Sequence, residues 1–150
     1  MNPKDLVFKG SNAFHPAVLQ LSGGRVGRSL AGMPVVVLET VGRKSGEVRR
    51  TPLTSPVIDG ETVVLVASYG GDSRHPAWYL NLCAAPDVVI ELHGSRREMR
   101  ARTATAEEKA ALWPRIVKSY RGYAGYQKRT DRDIPVVLLT PRQGLPVSTD

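Results

Sequence analysis

Two turns do most to limit how this chain can fold. Asp59-Gly60 and Gly94-Ser95 each stand between two β-branched, apolar-rich runs, and a gap of two or three residues leaves no room for a crossover. Parallel pairing needs a connection of a dozen residues or more, so these neighbours must pair antiparallel. Six runs read as strands: residues 34–41, about 48–58, 62–68, 88–93, 96–104 and 134–140. Short strands joined this way protect their edges by closing toward a barrel. Residues 76–85 open on proline and stop before Pro86, as a short helix does. Thr105 with Glu108 three positions later is a capping box for a helix over 106–119, whose apolar stripe is Leu112, Trp113, Ile116 and Val117. The expectation is a mainly β (α+β) fold, a six-stranded antiparallel barrel with three peripheral helices, the third in the N-terminal arm.

With 150 residues the chain fits one domain, read as an N-terminal helical arm over 1–31 and the barrel over 32–150. In the arm, Val7, Phe8, Phe14, Val18, Leu19 and Leu21 suit a short amphipathic helix that packs on the domain or lies against a membrane surface. No run approaches a membrane span and no signal-type apolar region opens the chain, so the expected location is cytoplasmic. The single cysteine, Cys83, has no internal disulfide partner and, inside WYLNLCAA, reads as a buried small hydrophobe.

A net charge of +7 favours acidic partners, and the charge is concentrated. Gly42-Arg43-Lys44-Ser45-Gly46-Glu47-Val48-Arg49-Arg50 places four cations on a glycine-hinged turn between two strands. Such turns aim backbone N–H groups at one point and bind anions. No Gly-Lys-Ser run is present, so this is not the nucleotide-binding loop; it suits an elongated or multiply charged anion, or else is a solvated basic hairpin. SGGRVG at 22–27 does not meet the dinucleotide fingerprint.

Further along, Ala67-Ser68-Tyr69-Gly70-Gly71 ends a strand, and His75-Pro76-Ala77-Trp78-Tyr79 opens a helix. A strand end, a glycine loop and a helix N-terminus can gather N–H groups around a carbonyl-bearing ring; a plain connection with core aromatics is the alternative. Tyr120, Tyr123 and Tyr126 recur every third residue, which on a helix gives one stripe able to line a pocket or to pack in a core. The histidines His15, His75 and His93 lack zinc-type spacing, so no metal site is expected, and no nucleophile or acid–base pair stands out. Difficult chemistry would therefore fall to a cofactor. Arg96, Arg97, Arg100 and Arg102 form a basic face without a nucleic-acid motif, so specific nucleic-acid binding is not expected.

Taken together, SGGRVG, PVVVLETVGRKSGEVR, the VASYGG…HPAWYLNL block and YRGYAGYQKRTDRDIPVVLL resemble the deazaflavin-dependent nitroreductase and quinone reductase family of actinobacteria over about Ser22 to Pro141. The resemblance implies a split β-barrel of the FMN-binding type and coenzyme F-420, a deazaflavin carrying a phosphodiester and an oligoglutamate tail. It implies hydride transfer to quinone, nitro or enone acceptors. By motif position Lys44 and Arg49 meet the phosphate and tail, with Arg43 and Arg50 adding field. Ser68, Ala77 and Trp78, with the backbone of Ala67 and Tyr69, hold the ring, and Tyr120, Tyr123 and Tyr126 line the substrate side. Tyr123, Tyr126 or Ser68 is the expected proton or hydrogen-bond donor. A non-catalytic coenzyme carrier and an FMN-dependent reductase of the same fold are the alternatives. Relatives of this barrel often form homodimers.

Overall fold

The computed structural model describes residues 29–142. Eight strands form one antiparallel sheet: β1 (Ser29–Leu30), β2 (Met33–Val41), β3 (Val48–Thr54), β4 (Val57–Asp59), β5 (Thr62–Val66), β6 (Asp87–Leu92), β7 (Ser95–Thr103) and β8 (Val136–Pro141). Three helices accompany them: α1 (Ala77–Ala84), α2 (Ala106–Ser119) and α3 (Gly122–Lys128). The pairing path runs β1-β2-β6-β7-β8-β5-β4, with β3 also on β2. Among the described residues the path does not close, so the barrel is split. Its ends are short strands, which limits edge-to-edge pairing.

Both turns are present, each one residue away from where the sequence places it: the loops are Gly60-Glu61 and His93-Gly94, and Asp59 and Ser95 pair inside strands. Gly60 and Gly94 hold φ of +58° and +78°, which glycine adopts freely, between β4 and β5 and between β6 and β7. The strand count rises from six to eight for two local reasons. The run 48–58 breaks at Ser55-Pro56: Pro56 has no N–H to give a ladder, and the Ser55 hydroxyl turns to Val64 O at 2.7 Å. A turn at Ala31-Gly32 adds β1 beside the start of β2.

Sequence runs without polar alternation become strands buried on both faces. In β5 and β8, Val63, Leu65, Val137 and Leu139 join the barrel interior with Trp78 and Leu82 of α1. Their neighbours Val64, Val66, Val136 and Leu138 pack instead under α2 and α3 with Ile116 and Tyr123. Burying a side chain of this kind stabilises by roughly 1.5–3 kcal/mol. Helix α2 starts on the predicted capping box: Thr105 Oγ1 accepts from Glu108 N at 3.1 Å and Glu108 Oε1 accepts from Thr105 N at 2.8 Å.

Three expectations change. The tyrosine stripe is not one helix, because α2 ends at Ser119 and Tyr120 is extended before α3 begins. Cys83 is exposed, since α1 turns Trp78, Asn81 and Leu82 inward and leaves Cys83 on its outer side. The N-terminal arm and its helix lie outside the described residues. No helix among the described residues is long and apolar enough to cross a membrane.

Candidate active site

The basic turn closes on itself before it presents anything outward. Gly42 N donates to Glu47 O at 2.7 Å and Gly46 N to Gly42 O at 2.8 Å. Glu47 N bonds Ser45 Oγ at 3.1 Å. A Cβ on Gly42 would lie 2.7 Å from Ser45 Oγ, so only glycine fits there without a shift. Arg43 then docks the turn on α1: its backbone N and its Nη1 both donate to Asn81 Oδ1, at 3.1 and 3.0 Å. Asn81 is buried and donates from Nδ2 to Thr40 Oγ1 at 3.3 Å. The turn and the helix thus enclose a cleft of about 560 Å³ lined by Gly42, Arg43, Lys44, Arg49, Ala77, Trp78 and Asn81, with Arg50 and Val48 at its wall.

The four cations of the turn differ. Lys44 is exposed and has no ion pair or hydrogen bond among the described residues. Arg49 keeps a loose contact with Glu47 at 3.7 Å and bonds Ser45 Oγ at 3.3 Å. Arg50 is committed elsewhere. It stands opposite Glu39 in the β2–β3 register and donates to Glu39 Oε2, and its Nη2 reaches Glu91 Oε1 at 3.0 Å. Arg96 grips the same Glu39 carboxylate from β7, at 2.8 and 3.0 Å. The Arg96 hydrogen bonds, with the fields of Arg96 and Arg50, hold the Glu39 carboxyl below the usual range despite its burial. Two further arginines of β7 are paired in the same manner: Arg100 with Asp87 at 2.9 Å and Arg102 with Glu108 at 2.7 Å. The basic face flagged for nucleic acid is a set of ion pairs apart from Arg97.

At the other end of the cleft, α1 begins at Pro76, which lacks an N–H, so the Ala77 and Trp78 amides point out of its first turn. Ala77 is exposed and Trp78 is buried with an edge on the cleft. Ala67 and Ser68 follow β5 as buried residues, and Tyr69 takes φ +46° at the start of a 3-10 turn over Tyr69–Gly71. That glycine loop does not hang open. A Cβ on Gly71 would meet Tyr126 O at 2.9 Å, so the loop packs directly on α3.

The three tyrosines meet although they do not share a helix. Their ring centroids lie 5.3 Å (Tyr120–Tyr123), 6.3 Å (Tyr120–Tyr126) and 6.1 Å (Tyr123–Tyr126) apart, edge-on or tilted. Gly122 makes this arrangement fit, because a Cβ there would stand 2.3 Å from the Tyr120 ring. Tyr123 is buried and its hydroxyl faces Thr54 Oγ1 at 3.4 Å and Met33 Sδ at 3.9 Å. Tyr120 and Tyr126 hydroxyls are 3.5 Å apart. Burial, reinforced by the Tyr120 hydroxyl, pushes Tyr126 up to about 12, and burial raises Tyr123 as well. Both phenols remain protonated donors at neutral pH.

Sequence reasoning passed over two residues of this site. Asn81 anchors the basic turn, and Arg132 ties the glycine loop: its guanidinium donates to Ala67 O, Ser68 O and Asp72 O. Each acts on partners 38 to 65 residues away, and nothing in local spacing marks that. The phrase TDRDIP, read as a loop with one uncommitted arginine before a buried strand, was the available hint for Arg132.

A family model described as F420H(2)-dependent quinone reductase matches residues 13–141. A putative F420H(2)-dependent quinone reductase of Mycobacterium tuberculosis is 41% identical over 110 residues, 73% of this chain and 92% of that one. A solved F420-H2 dependent reductase superposes with TM-score 0.65 at 39% identity, covering 71% of this chain and 93% of its own. Another solved chain, titled a domain-swapped dimer, gives 0.66 at 34% identity over 92% of this chain and 99% of its own. A protein of the pyridoxinephosphate oxidase family from Clostridium acetobutylicum, 12% identical with TM-score 0.51 over 85% of this chain and 84% of its own, shares the fold alone. The chain belongs to the F420H(2)-dependent quinone reductase family.

Proposed function

We propose that this protein is a coenzyme F-420-dependent oxidoreductase that reduces quinones, with the cleft between the basic turn and α1 as its coenzyme site. One observation carries the reading. The cleft joins two unlike ends: a cationic turn at Arg43, Lys44 and Arg49, and an apolar ring edge at Trp78 beside the outward amides of Ala77 and Trp78. A flat aromatic head with a polyanionic tail needs both ends. Lys44, lacking any partner among the described residues, fits a phosphate or glutamate carboxylate, and the amides at the start of α1 fit ring carbonyls. FMN has no oligoglutamate tail and would leave part of the cationic turn idle.

When bound in its reduced form, the coenzyme supplies a hydride equivalent. The chain's own residues bind, orient and shield. Lys44 and Arg49 hold the tail, with Arg43 fixed behind them by Asn81. Trp78 gives the ring an apolar wall, and Ser68 is buried just past the end of β5. On the acceptor side Tyr126 presents a phenol held protonated by burial, with the Tyr120 hydroxyl 3.5 Å away, and these hydroxyls donate hydrogen bonds to the oxygen on which negative charge develops. Tyr123 turns its hydroxyl to Thr54 and, in this reading, supports that pair from the core. Orientation and charge stabilisation of this kind are what a protein adds to cofactor chemistry.

The test is a fluorescence titration with the coenzyme followed by rapid mixing of reduced coenzyme and a panel of quinones. Saturable binding with turnover is expected. Binding without turnover on any quinone would make the protein a carrier, and a yellow purified protein would make it a flavin enzyme. We infer further that it forms a homodimer and resides in the cytoplasm; sedimentation equilibrium giving a monomer mass would end the first idea. Weak contact with the membrane surface through the N-terminal arm is tested by co-flotation with anionic vesicles.

A further inference from the structure

We propose that Arg132 is a positioning residue that sets the ring-binding end of the cleft and the tautomer of His75. The inference rests on the coenzyme site proposed above. Arg132 lies on the connection between α3 and β8, and its guanidinium enters the glycine loop from behind. Nη2 donates to Ala67 O at 3.1 Å and Ser68 O at 2.9 Å, Nε donates to Asp72 O at 2.9 Å, and Nη1 lies 3.1 Å from His75 Nδ1. One planar cation thus clasps both ends of the segment that runs from the end of β5 to the start of α1. Arginine cannot accept a hydrogen bond, so His75 Nδ1 must be the acceptor and the neutral ring carries its proton on Nε2.

The clasp is reinforced from three sides. Gln127 Nε2 donates to Arg132 O at 2.8 Å, and Gln127 Oε1 accepts from Lys109 Nζ at 2.9 Å and from Ile134 N at 3.0 Å, linking α2, α3 and β8 to the same point. The Asp72 carboxylate, buried and paired with Arg74 at 3.0 Å, adds its field to Arg132. Gly71 packs on the Tyr126 backbone, so the loop that holds the ring side and the helix that carries the acceptor-side tyrosine are seated as one unit. His75 in turn stacks on Tyr79 of α1 with centroids 4.9 Å apart. Burial and the Arg132 charge both lower the His75 pKa, which is consistent with a neutral ring in the clasp.

Lysine at 132 keeps the charge but cannot form the planar fork, so Arg132→Lys disturbs the geometry without removing the cation. The experiment has two readouts on the full chain. The first is 15N NMR of His75 in the protein without coenzyme, which needs no variant. The wild type is expected to show the Nε2–H tautomer, and Arg132→Lys a shift toward a mixture. The second is coenzyme titration at several salt concentrations. Arg132→Lys is expected to weaken binding about tenfold with the salt dependence unchanged, because the tail cations are untouched. Arg132→Gln is expected to behave alike if Arg132→Lys folds poorly.

A wild-type His75 protonated on Nδ1 would overturn the inference. So would equal coenzyme affinity in folded Arg132→Lys and wild type. A loss that follows only thermal destabilisation, with the His75 spectrum unmoved, would reduce Arg132 to a structural strut and overturn it as well. Failure of the wild type itself to bind coenzyme is a separate result, which removes the proposed function and this inference with it.

Discussion

Replacing Lys44 and Arg50 by alanine, one at a time, asks whether the basic turn acts as a uniform patch or as a set of unequal cations. Lys44 has no partner to lose among the described residues, so Lys44→Ala removes only what it would contribute to a bound anion. In a half-open cleft that contribution lies between an exposed ion pair at roughly 0.2–1 kcal/mol and a charge-assisted hydrogen bond at roughly 1.5–3. A central value of about 1.4 kcal/mol is a tenfold loss of affinity. Arg50 sits in a closed group, with Arg50 and Arg96 facing Glu39 and Glu91, so two positive and two negative charges cancel. Arg50 is engaged by its carboxylates and gives a bound anion no direct hydrogen bond, so Arg50→Ala should lose less affinity than Lys44→Ala, and part of its cost falls on the fold. Glu39, nearly buried, keeps both Arg96 hydrogen bonds, which puts the stability loss near 1 kcal/mol, about 2–4 °C in Tm for a chain of this size. The assay is coenzyme fluorescence titration at low and at 1 M salt, beside thermal unfolding. Screening lengths shrink from about 10 Å at 0.1 M to about 3 Å at 1 M, so the gap between wild type and Lys44→Ala should narrow with salt. Equal affinity losses in the two variants, with Tm unmoved in Arg50→Ala, would refute the reasoning.

Further outcomes follow from the same geometry. Gly122→Ala drives a methyl into the Tyr120 ring and is expected to destabilise by about 1–3 kcal/mol and raise the quinone KM, whereas Gly125→Ala meets nothing within 4 Å and is expected to stabilise α3 by about 0.5–1 kcal/mol; chemical denaturation and steady-state kinetics check both. Thr105→Ala removes the α2 cap and should cost about 1 kcal/mol in the same assay. Glu108 is held at about 2, chiefly by its Arg102 hydrogen bonds and then by the Thr105 backbone, below its ordinary 4.5. A depressed carboxylate adds stability above about pH 4.5 that is lost as pH falls toward 2, so Glu108→Gln should flatten the stability profile in that window and leave an equal offset above it. Tyr126→Phe should lower kcat with quinone while leaving coenzyme affinity unchanged, since its phenol meets Tyr120 and not the cleft cations.

What the sequence discloses here is what local physics decides. A two-residue turn admits one pairing sense, so the antiparallel pairing appears as read, although the loops fall one residue away, at Gly60-Glu61 and His93-Gly94. Thr105 and Glu108 cap α2 because every atom involved lies within one helical turn. Local rules failed where a local signal competed with another. Residues 48–58 look like one strand, yet Pro56 and the Ser55 hydroxyl break it. Tyr120, Tyr123 and Tyr126 have helical spacing, yet Tyr120 leaves the helix so that its ring can fill the space over Gly122. Cys83 sits among apolar letters, but α1 is short, and its rotation is set by Trp78 and Leu82 entering the core. The site was legible as motif positions and not as geometry. Which of four neighbouring cations is uncommitted depends on Glu39 and Glu91 of other strands, and the anchors Asn81 and Arg132 work across 38 and 65 residues.

The same point decides how the net charge should be understood. A chain with +7 suggests a basic surface, yet several arginines on the sheet and around it are opposed by a carboxylate: Arg96 by Glu39, Arg100 by Asp87, Arg102 by Glu108, Arg115 of α2 by Asp59 and Arg142 after β8 by Glu98. Exposed pairs of this kind add little stability, about 0–1 kcal/mol each, but they cancel field over the face they occupy. The excess is therefore not spread evenly. At the basic turn Lys44 has no partner among the described residues, Arg43 bonds only an amide and Arg49 faces one distant carboxylate, so field is left uncancelled at the mouth of the cleft. A polyanion is drawn to that mouth more than to the paired arginines of the sheet. If so, Lys44→Ala and Arg49→Ala should slow coenzyme association at low salt, whereas Arg100→Ala, which removes a charge outside the cleft lining and leaves Asp87 with Arg142 at 3.4 Å, should change the association rate less. A rate that falls equally in all three would mean that total charge, and not its pairing, governs capture.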